Sequence, residues 1–137
     1  MGLDGYPLEE IKYTEFMKPY FDDVVDFNIS YYSEYIICAI SKTHKAGIDI
    51  EEIRNIPFDD FDTQFSDTEW KSILAAEYSM HAFYMLWTQK ESFIKAIGSG
   101  MNVPLNRVII SANKIAWNNE KWFCYEITLD TNTYHTF

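Results

Sequence analysis

The apolar residues of this chain change period twice, and that change limits the folds open to it. From Val24 the runs VVDFNIS, EYIICAIS and AGIDIE alternate or run apolar, rich in β-branched and aromatic residues, with turn signals in SYYSE and KTHK between them. Three strands are expected there. After Pro57 the period becomes helical. Ser66-Asp-Thr-Glu69 has the spacing of a capping box, in which a side-chain oxygen and a glutamate satisfy free amides at a helix start, so a short helix is expected over 67–77. Ser79 can cap a longer helix running to about Ile97, where Gly98 permits the left-handed backbone that ends helices. Phe83, Leu86, Ile94 and Ile97, with Trp87 and Phe93, give that helix a broad buried face. RVIIS, KIAWN and KWFCYEITL then alternate again, separated by turn signals in SAN and NNE. These periods predict an α+β fold, an antiparallel sheet packed against the long helix and the shorter one. Residues 1–22, with Gly2, Gly5, Pro7 and Pro19, read as irregular.

A chain of 137 residues is the size of one domain and can bury a core without staples, so one unit over 1–137 is expected. With 47% hydrophobic and 18% aromatic residues it folds rather than staying disordered. Its formal net charge of -10 opposes broad association with nucleic-acid phosphate or anionic lipid. No apolar run approaches the ~20 residues that cross a bilayer, and MGLDGYPLEE lacks the basic-then-apolar pattern of a secretion signal. Cys38 and Cys124 lie in apolar segments and read as core thiols of a reducing compartment. A cytoplasmic location is expected on both grounds.

The chemistry-bearing residues fall in two segments. In GIDIE, residues 47–51, alternation puts Asp49 and Glu51 on one strand face and Ile48 and Ile50 on the other. Like charges side by side need water, a shared proton or a cation between them. In WTQKESFIKAIGSG, residues 87–100, Trp87, Glu91 and Lys95 stand four apart and form a row down one side of the helix. Each segment has a plain structural reading, a wet acidic edge strand in one case and an exposed ion pair beside a core tryptophan in the other. Together Asp49, Glu51 and Glu91 offer the hard oxygen ligands that Mg²⁺ takes while leaving positions for water and phosphate, and Lys90 and Lys95 could hold the same phosphates.

FNIS at 27–30, GIDIE at 47–51, FSDTE at 65–69 and WTQKESFIKAIGSG at 87–100, in this order and spacing, resemble the 4'-phosphopantetheinyl transferases, particularly the surfactin type. The likeness runs from about Lys18 to Leu105 and corresponds mostly to the second half of those enzymes. The resemblance implies transfer of the phosphopantetheine arm of coenzyme A to a serine of an acyl or peptidyl carrier protein, with release of adenosine 3',5'-bisphosphate. It implies Asp49, Glu51 and Glu91 as Mg²⁺ ligands. Glu91, or a metal-held water, would accept the serine proton, and Lys95 would stabilise the transferring group. Ser30, Tyr31, Lys90 and Lys95 would contact coenzyme A. Glu69 matches a family glutamate for which the capping box already supplies a structural reason. The likeness to half of a two-part enzyme also implies a homo-oligomer, a dimer or trimer, with a site completed at a subunit boundary.

After FNIS the family usually continues His-Ser, and this chain has Tyr31-Tyr32. A tyrosine donates a hydrogen bond but carries no positive charge, so a contact worth about 1.5–3 kcal/mol is expected to be missing. Lys42, His44 and Lys45 could replace that charge, or sit in a solvated turn. Family carrier proteins are usually acidic, so Lys12, Lys18, Lys42 and Lys45 are the candidates for a steering patch. Two other readings stand beside the transferase: a binding or assembly module of the same family, and a metal-dependent nuclease, which the acidic balance disfavours.

Overall fold

The computed structural model describes residues 8–21, 25–129 and 134–137. The expected onset of order at Val24 lies outside the described residues. Of the segment expected to be irregular, residues 1–7 and 22 lie outside the described residues, and residues 8–21 carry short elements. A 3-10 turn at Leu8–Glu10 leads into β1 (Lys12–Tyr13), which pairs antiparallel with β2 (Pro19–Tyr20). Met17 takes a left-handed φ of 63° in the turn between them.

β3 (Asp26–Tyr32) and β4 (Tyr35–Ser41) form the longest hairpin, in full register from Asp26 opposite Ser41 to Tyr32 opposite Tyr35. Its turn is two residues long, with Ser33 at φ 53°. β5 (Ile50–Glu52) pairs instead with β9 (Tyr134–Thr136), a strand the sequence did not announce. The last meander is β6 (Ile110–Ser111), β7 (Lys114–Trp117) and β8 (Glu120–Phe123). Both of its turns use two residues with positive φ, Ala112-Asn113 and Asn118-Asn119, the primed geometry whose twist matches antiparallel strands. Among the described residues the strands fall into three small antiparallel sheets, in the orders β1-β2-β3-β4, β5-β9 and β6-β7-β8. The α+β class, with antiparallel strands against the long helix, holds.

The helices follow their signals closely. α1 spans Asp67–Ala75, with the complete capping box between Ser66 and Glu69. α2 spans Ser79–Ile97 and ends on Gly98 at φ 66°. Its cap is Tyr78 without a side-chain bond, so Ser79 is the first helical residue and not the cap. An unannounced 3-10 segment, Phe58–Gln64, precedes α1.

α2 is the axis of the core. Its first half packs Phe83, Tyr84 and Leu86 against Phe65 and Ile73 of the α1 region, and its second half packs Phe93 and Ile94 against Leu105, Val108 and Ile115 below the last meander. Trp87 touches both clusters and spans the junction. Fully burying each such side chain contributes about 1.5–3 kcal/mol, so α2 is fixed along its whole length. A third cluster, Phe21, Val25 and Phe27, closes one end of the first sheet.

Candidate functional site

The site grows from an unusual division of β3. The inward side chains Asp26, Asn28, Ser30 and Tyr32 are polar, and each binds the segment that contains GIDIE. Asp26 Oδ1 accepts from the Ala46 amide and Asn28 Oδ1 from the Ile48 amide, both at 3.0 Å. Ser30 Oγ donates to Asp49 Oδ1 at 3.1 Å, and the Tyr32 hydroxyl donates to Glu52 Oε2 at 2.9 Å. Residues 46–52 are thus laid along β3 by side chains. On their other side Gly47 touches α2. A Cβ there would stand 2.0 Å from the Ser92 carbonyl oxygen and 2.4 Å from the Ala96 nitrogen, closer than any side chain can sit. Asp49 then exchanges backbone bonds with Phe137, continuing the β5–β9 ladder (2.8 and 3.1 Å).

This double clamp brings Asp49 against α2. Lys95 Nζ donates to Asp49 Oδ1 at 2.5 Å and to Ser30 Oγ at 3.0 Å. Asp49 is 4% exposed, and its second oxygen, Oδ2, is buried with no partner. Burial pushes the Asp49 carboxyl upward, against the charge and bond of Lys95, the Ser30 hydroxyl and the Ile50 amide. Glu51 is pushed to about 7, first by burial and then by the Asp49 charge, with Glu91 adding to the rise; the Trp87 side chain and Lys95 offset part of it. Burial and then Asp49 raise Glu91 in the same way, with Lys95 opposing. The three carboxylates lie within electrostatic reach of one another, with one ammonium among them. That is an excess of negative charge in a half-dry place.

Two observations fit a cation here: the bare, buried Asp49 Oδ2, and the mutual repulsion that raises Glu51 and Glu91. The side chains are not a closed ligand set as they stand. Among the described residues, no three His, Cys, Asp or Glu side chains converge as ligands. Lys95 instead neutralises Asp49 Oδ1.

Ser30, Asp49 and Lys95 are in direct contact, with Glu51 and Glu91 beside them. Tyr31 is not among them. It projects from the opposite face of β3 and is 77% exposed, while Tyr32 shares the face of Ser30. Strand alternation carried that signal. Lys90 is a second correction. It is 0% exposed, and Nζ donates to Glu69 Oε2 (2.9 Å), Leu105 O (2.9 Å) and Val108 O (2.7 Å), which uses all three protons of an ammonium and leaves none for a phosphate of coenzyme A. Lys18 is likewise removed from any steering patch. It is buried, with Nζ bound to both Asp26 oxygens, to Ala46 O and to Ala96 O, where it ties the start of the GIDIE segment to the end of α2. Lys42, His44 and Lys45 are exposed in the loop after β4. Of the two thiols, Cys124 is half-buried and Cys38 is exposed, so Cys38 is not a core residue. No described helix is long and apolar enough to cross a membrane.

Comparison with known proteins gives the family of the chain. The family model of the 4'-phosphopantetheinyl transferase superfamily matches residues 45–134, and the chain belongs to that superfamily. It is 42% identical over 103 residues to the 4'-phosphopantetheinyl transferase gsp of Aneurinibacillus migulanus, covering 74% of this chain and 43% of that protein. It is 40% identical over 96 residues to the 4'-phosphopantetheinyl transferase Sfp of Bacillus subtilis (67% and 42%). With the L-aminoadipate-semialdehyde dehydrogenase-phosphopantetheinyl transferase of Schizosaccharomyces pombe it shares 27% over 135 residues (83% and 52%). The chain thus spans less than half the length of the two bacterial relatives. The fold overlaps the Thermotoga maritima holo-[acyl-carrier-protein] synthase only loosely, with a TM-score of 0.48 at 19% identity over 67% of this chain and 59% of that one.

Proposed function

We propose that this protein transfers the 4'-phosphopantetheine arm of coenzyme A to a serine of an acyl or peptidyl carrier protein in a Mg²⁺-dependent reaction. The observation that carries the reading is the meeting of Ser30 on β3, Asp49 before β5 and Lys95 on α2, with Glu51 and Glu91 alongside. Asp49, Glu51 and Glu91 would hold the metal, for which their charge and the bare Asp49 oxygen are suited. When bound, Mg²⁺ supplies positive charge against the coenzyme A pyrophosphate.

The chain's own groups divide the remaining work. Lys95 spends two of its three protons on Asp49 and Ser30 and is 30% exposed, which leaves one donor for an oxygen of the phosphoryl group in transfer. Ser30 is buried and orients both by donating to Asp49 and accepting from Lys95. Glu91, whose proton affinity is raised, accepts the proton of the carrier serine. The serine oxygen bonds to the phosphorus that carries the pantetheine arm as the bridging P–O bond breaks, and adenosine 3',5'-bisphosphate leaves with that electron pair. The exposed Lys42, His44 and Lys45, in the loop after β4, are candidates to meet nucleotide phosphate or an acidic carrier.

Mass spectrometry of candidate carrier proteins incubated with coenzyme A, Mg²⁺ and this protein tests the reading. A mass gain of one phosphopantetheine arm on the carrier serine, lost with EDTA, is expected. Unmodified carriers across acyl and peptidyl classes, together with no heat of coenzyme A binding in titration calorimetry, would oppose it.

A further inference from the structure

The charges of the site work against its assembly. Glu91 on α2 faces Asp49 and Glu51 across the gap between helix and strand segment, and like charges push the two apart. Gly47 limits only how closely they approach, because its contact with Ser92 and Ala96 is one of packing. Lys95 bonds Asp49 across the gap, but its flexible stem spans a range of separations and does not fix the distance between the backbones. Lys18 does. Its Nζ donates to Ala96 O at 2.8 Å and to Ala46 O at 3.3 Å, so the two oxygens can be no further apart than those bonds laid end to end. Ala96 follows Lys95 in the last turn of α2, where carbonyls lack an intrahelical amide and carry the negative end of the helix dipole. Ala46 stands three residues before Asp49. The third proton of the ammonium goes to Asp26, 2.8 and 3.0 Å from its two oxygens, and Asp26 Oδ1 also takes the Ala46 amide at 3.0 Å. Lys18 and Asp26 thus hold both polar groups of the Ala46 backbone.

We propose, resting on the transferase reading, that Lys18 paired with Asp26 is a positioning residue of the reaction: one nitrogen holds a backbone oxygen from each of the two segments that carry Asp49 and Lys95, and so sets the distance between them. The first hairpin presents this lysine. The Lys18 amide donates to Thr14 Oγ1 at 3.0 Å and its carbonyl accepts from the Thr14 amide at 2.9 Å, which closes the turn between β1 and β2. Gly98 leaves room for the stem, since a Cβ there would stand 3.0 Å from Lys18 Cδ. Asp26 gives the buried ammonium its counter-charge. Misplacing reacting groups by about 1 Å costs on the order of 10²-fold in rate, so a tie remote from the phosphorus governs turnover without touching substrate.

Lys18→Met keeps the stem and removes the ammonium, and two readouts of the full chain test it. With coenzyme A, Mg²⁺ and a carrier that the wild type modifies, kcat is expected to fall about 10–100-fold while the KM for coenzyme A stays within about 2-fold. Unchanged kcat overturns the proposal, and a raised KM beside it would make Lys18 a coenzyme A contact instead. Recovery of kcat in Lys18→Met/Asp26→Asn also overturns it, by reducing Lys18 to a neutraliser of Asp26. The second readout needs no turnover. In reductive methylation read by peptide mass spectrometry, Lys95 of the variant is expected to label roughly 5-fold faster, while the fully buried Lys90 keeps its wild-type rate and shows that the fold stays closed. Equal acceleration at Lys90 and Lys95 would mean general loosening, and none at Lys95 would mean no coupling; either overturns the proposal. An inactive wild type would oppose the transferase reading, and the labelling would still decide whether Lys18 governs Lys95. Lys18→Gln serves as a second variant if Lys18→Met folds poorly.

Discussion

At Asp49 one oxygen is held by Lys95 and Ser30 and the other is buried and bare, so the residue is tied to its place by one atom and available through the other. Asp49→Asn keeps the shape and removes the charge; carrier modification should fall below detection with the folded content intact. Glu91→Ala should lower the transfer rate about 10²–10⁴-fold, the range for loss of a positioned base. Lys95→Ala should lower kcat about 10²–10³-fold and leave the KM for coenzyme A nearly unchanged. Single-turnover assays separate these effects, and an unchanged KM with unchanged kcat for Lys95→Ala would remove it from the chemistry. Gly47 is a residue of a different kind. Its substitution by Ala drives a methyl into the Ser92 and Ala96 backbone, which should cost about 1–3 kcal/mol in urea unfolding and misplace Asp49 as well, so transfer should fall with stability. Nothing local in GIDIE announces this, since the clash is with a helix more than forty positions away.

At the scale of elements, the Glu69–Lys90 pair joins three of them. Glu69 completes the α1 cap through the Ser66 amide and accepts from the Ile110 amide, while Lys90 on α2 holds the carbonyls of Leu105 and Val108. Burial alone would raise the Glu69 carboxyl, but the bonds from Lys90, Ser66 and Ile110 outweigh it and leave it below the usual range. A lowered carboxyl contributes stability that is present above its unfolded value, near 4.5, and is lost as pH falls through the folded one. Burial lowers Lys90 in turn, a cost carried at neutral pH and relieved only on the alkaline side as the amine loses its proton. Glu69→Gln leaves the buried ammonium without its counter-charge and should cost about 3–5 kcal/mol at pH 7. Thermal melts between pH 7 and 3 should fall less steeply for Glu69→Gln than for the wild type; parallel slopes would mean the carboxylate is not ionised in the fold. Helical period places Lys90 four residues after Leu86 and four before Ile94, both buried, so its position was readable. Its proximity to Glu91 in the motif concealed that, because adjacent helical residues point about 100° apart.

Across the whole molecule, what was legible is what is written locally. The capping box, the Gly98 stop, the Asn-rich turns and the shared helical side of Glu91 and Lys95 all rest on spacing within one element, and all appear. What stayed hidden depends on distant partners. β9 is a three-residue strand whose pairing with β5 has no periodic signal of its own. The two faces of β4, Tyr35-Ile37-Ala39 and Ile36-Cys38-Ile40, are both apolar, so alternation could not say which turns inward, and Cys38 was placed on the wrong side. The central claim is that these distant pieces, β3, the segment before β5 and α2, assemble one acidic site for a divalent ion. Titration of the full chain with Mn²⁺, followed by electron paramagnetic resonance, tests that claim most directly. The account predicts one site in the wild type that disappears in Asp49→Asn and is weakened in Glu51→Gln and Glu91→Gln, whereas equal Mn²⁺ binding by wild type and Asp49→Asn would contradict it.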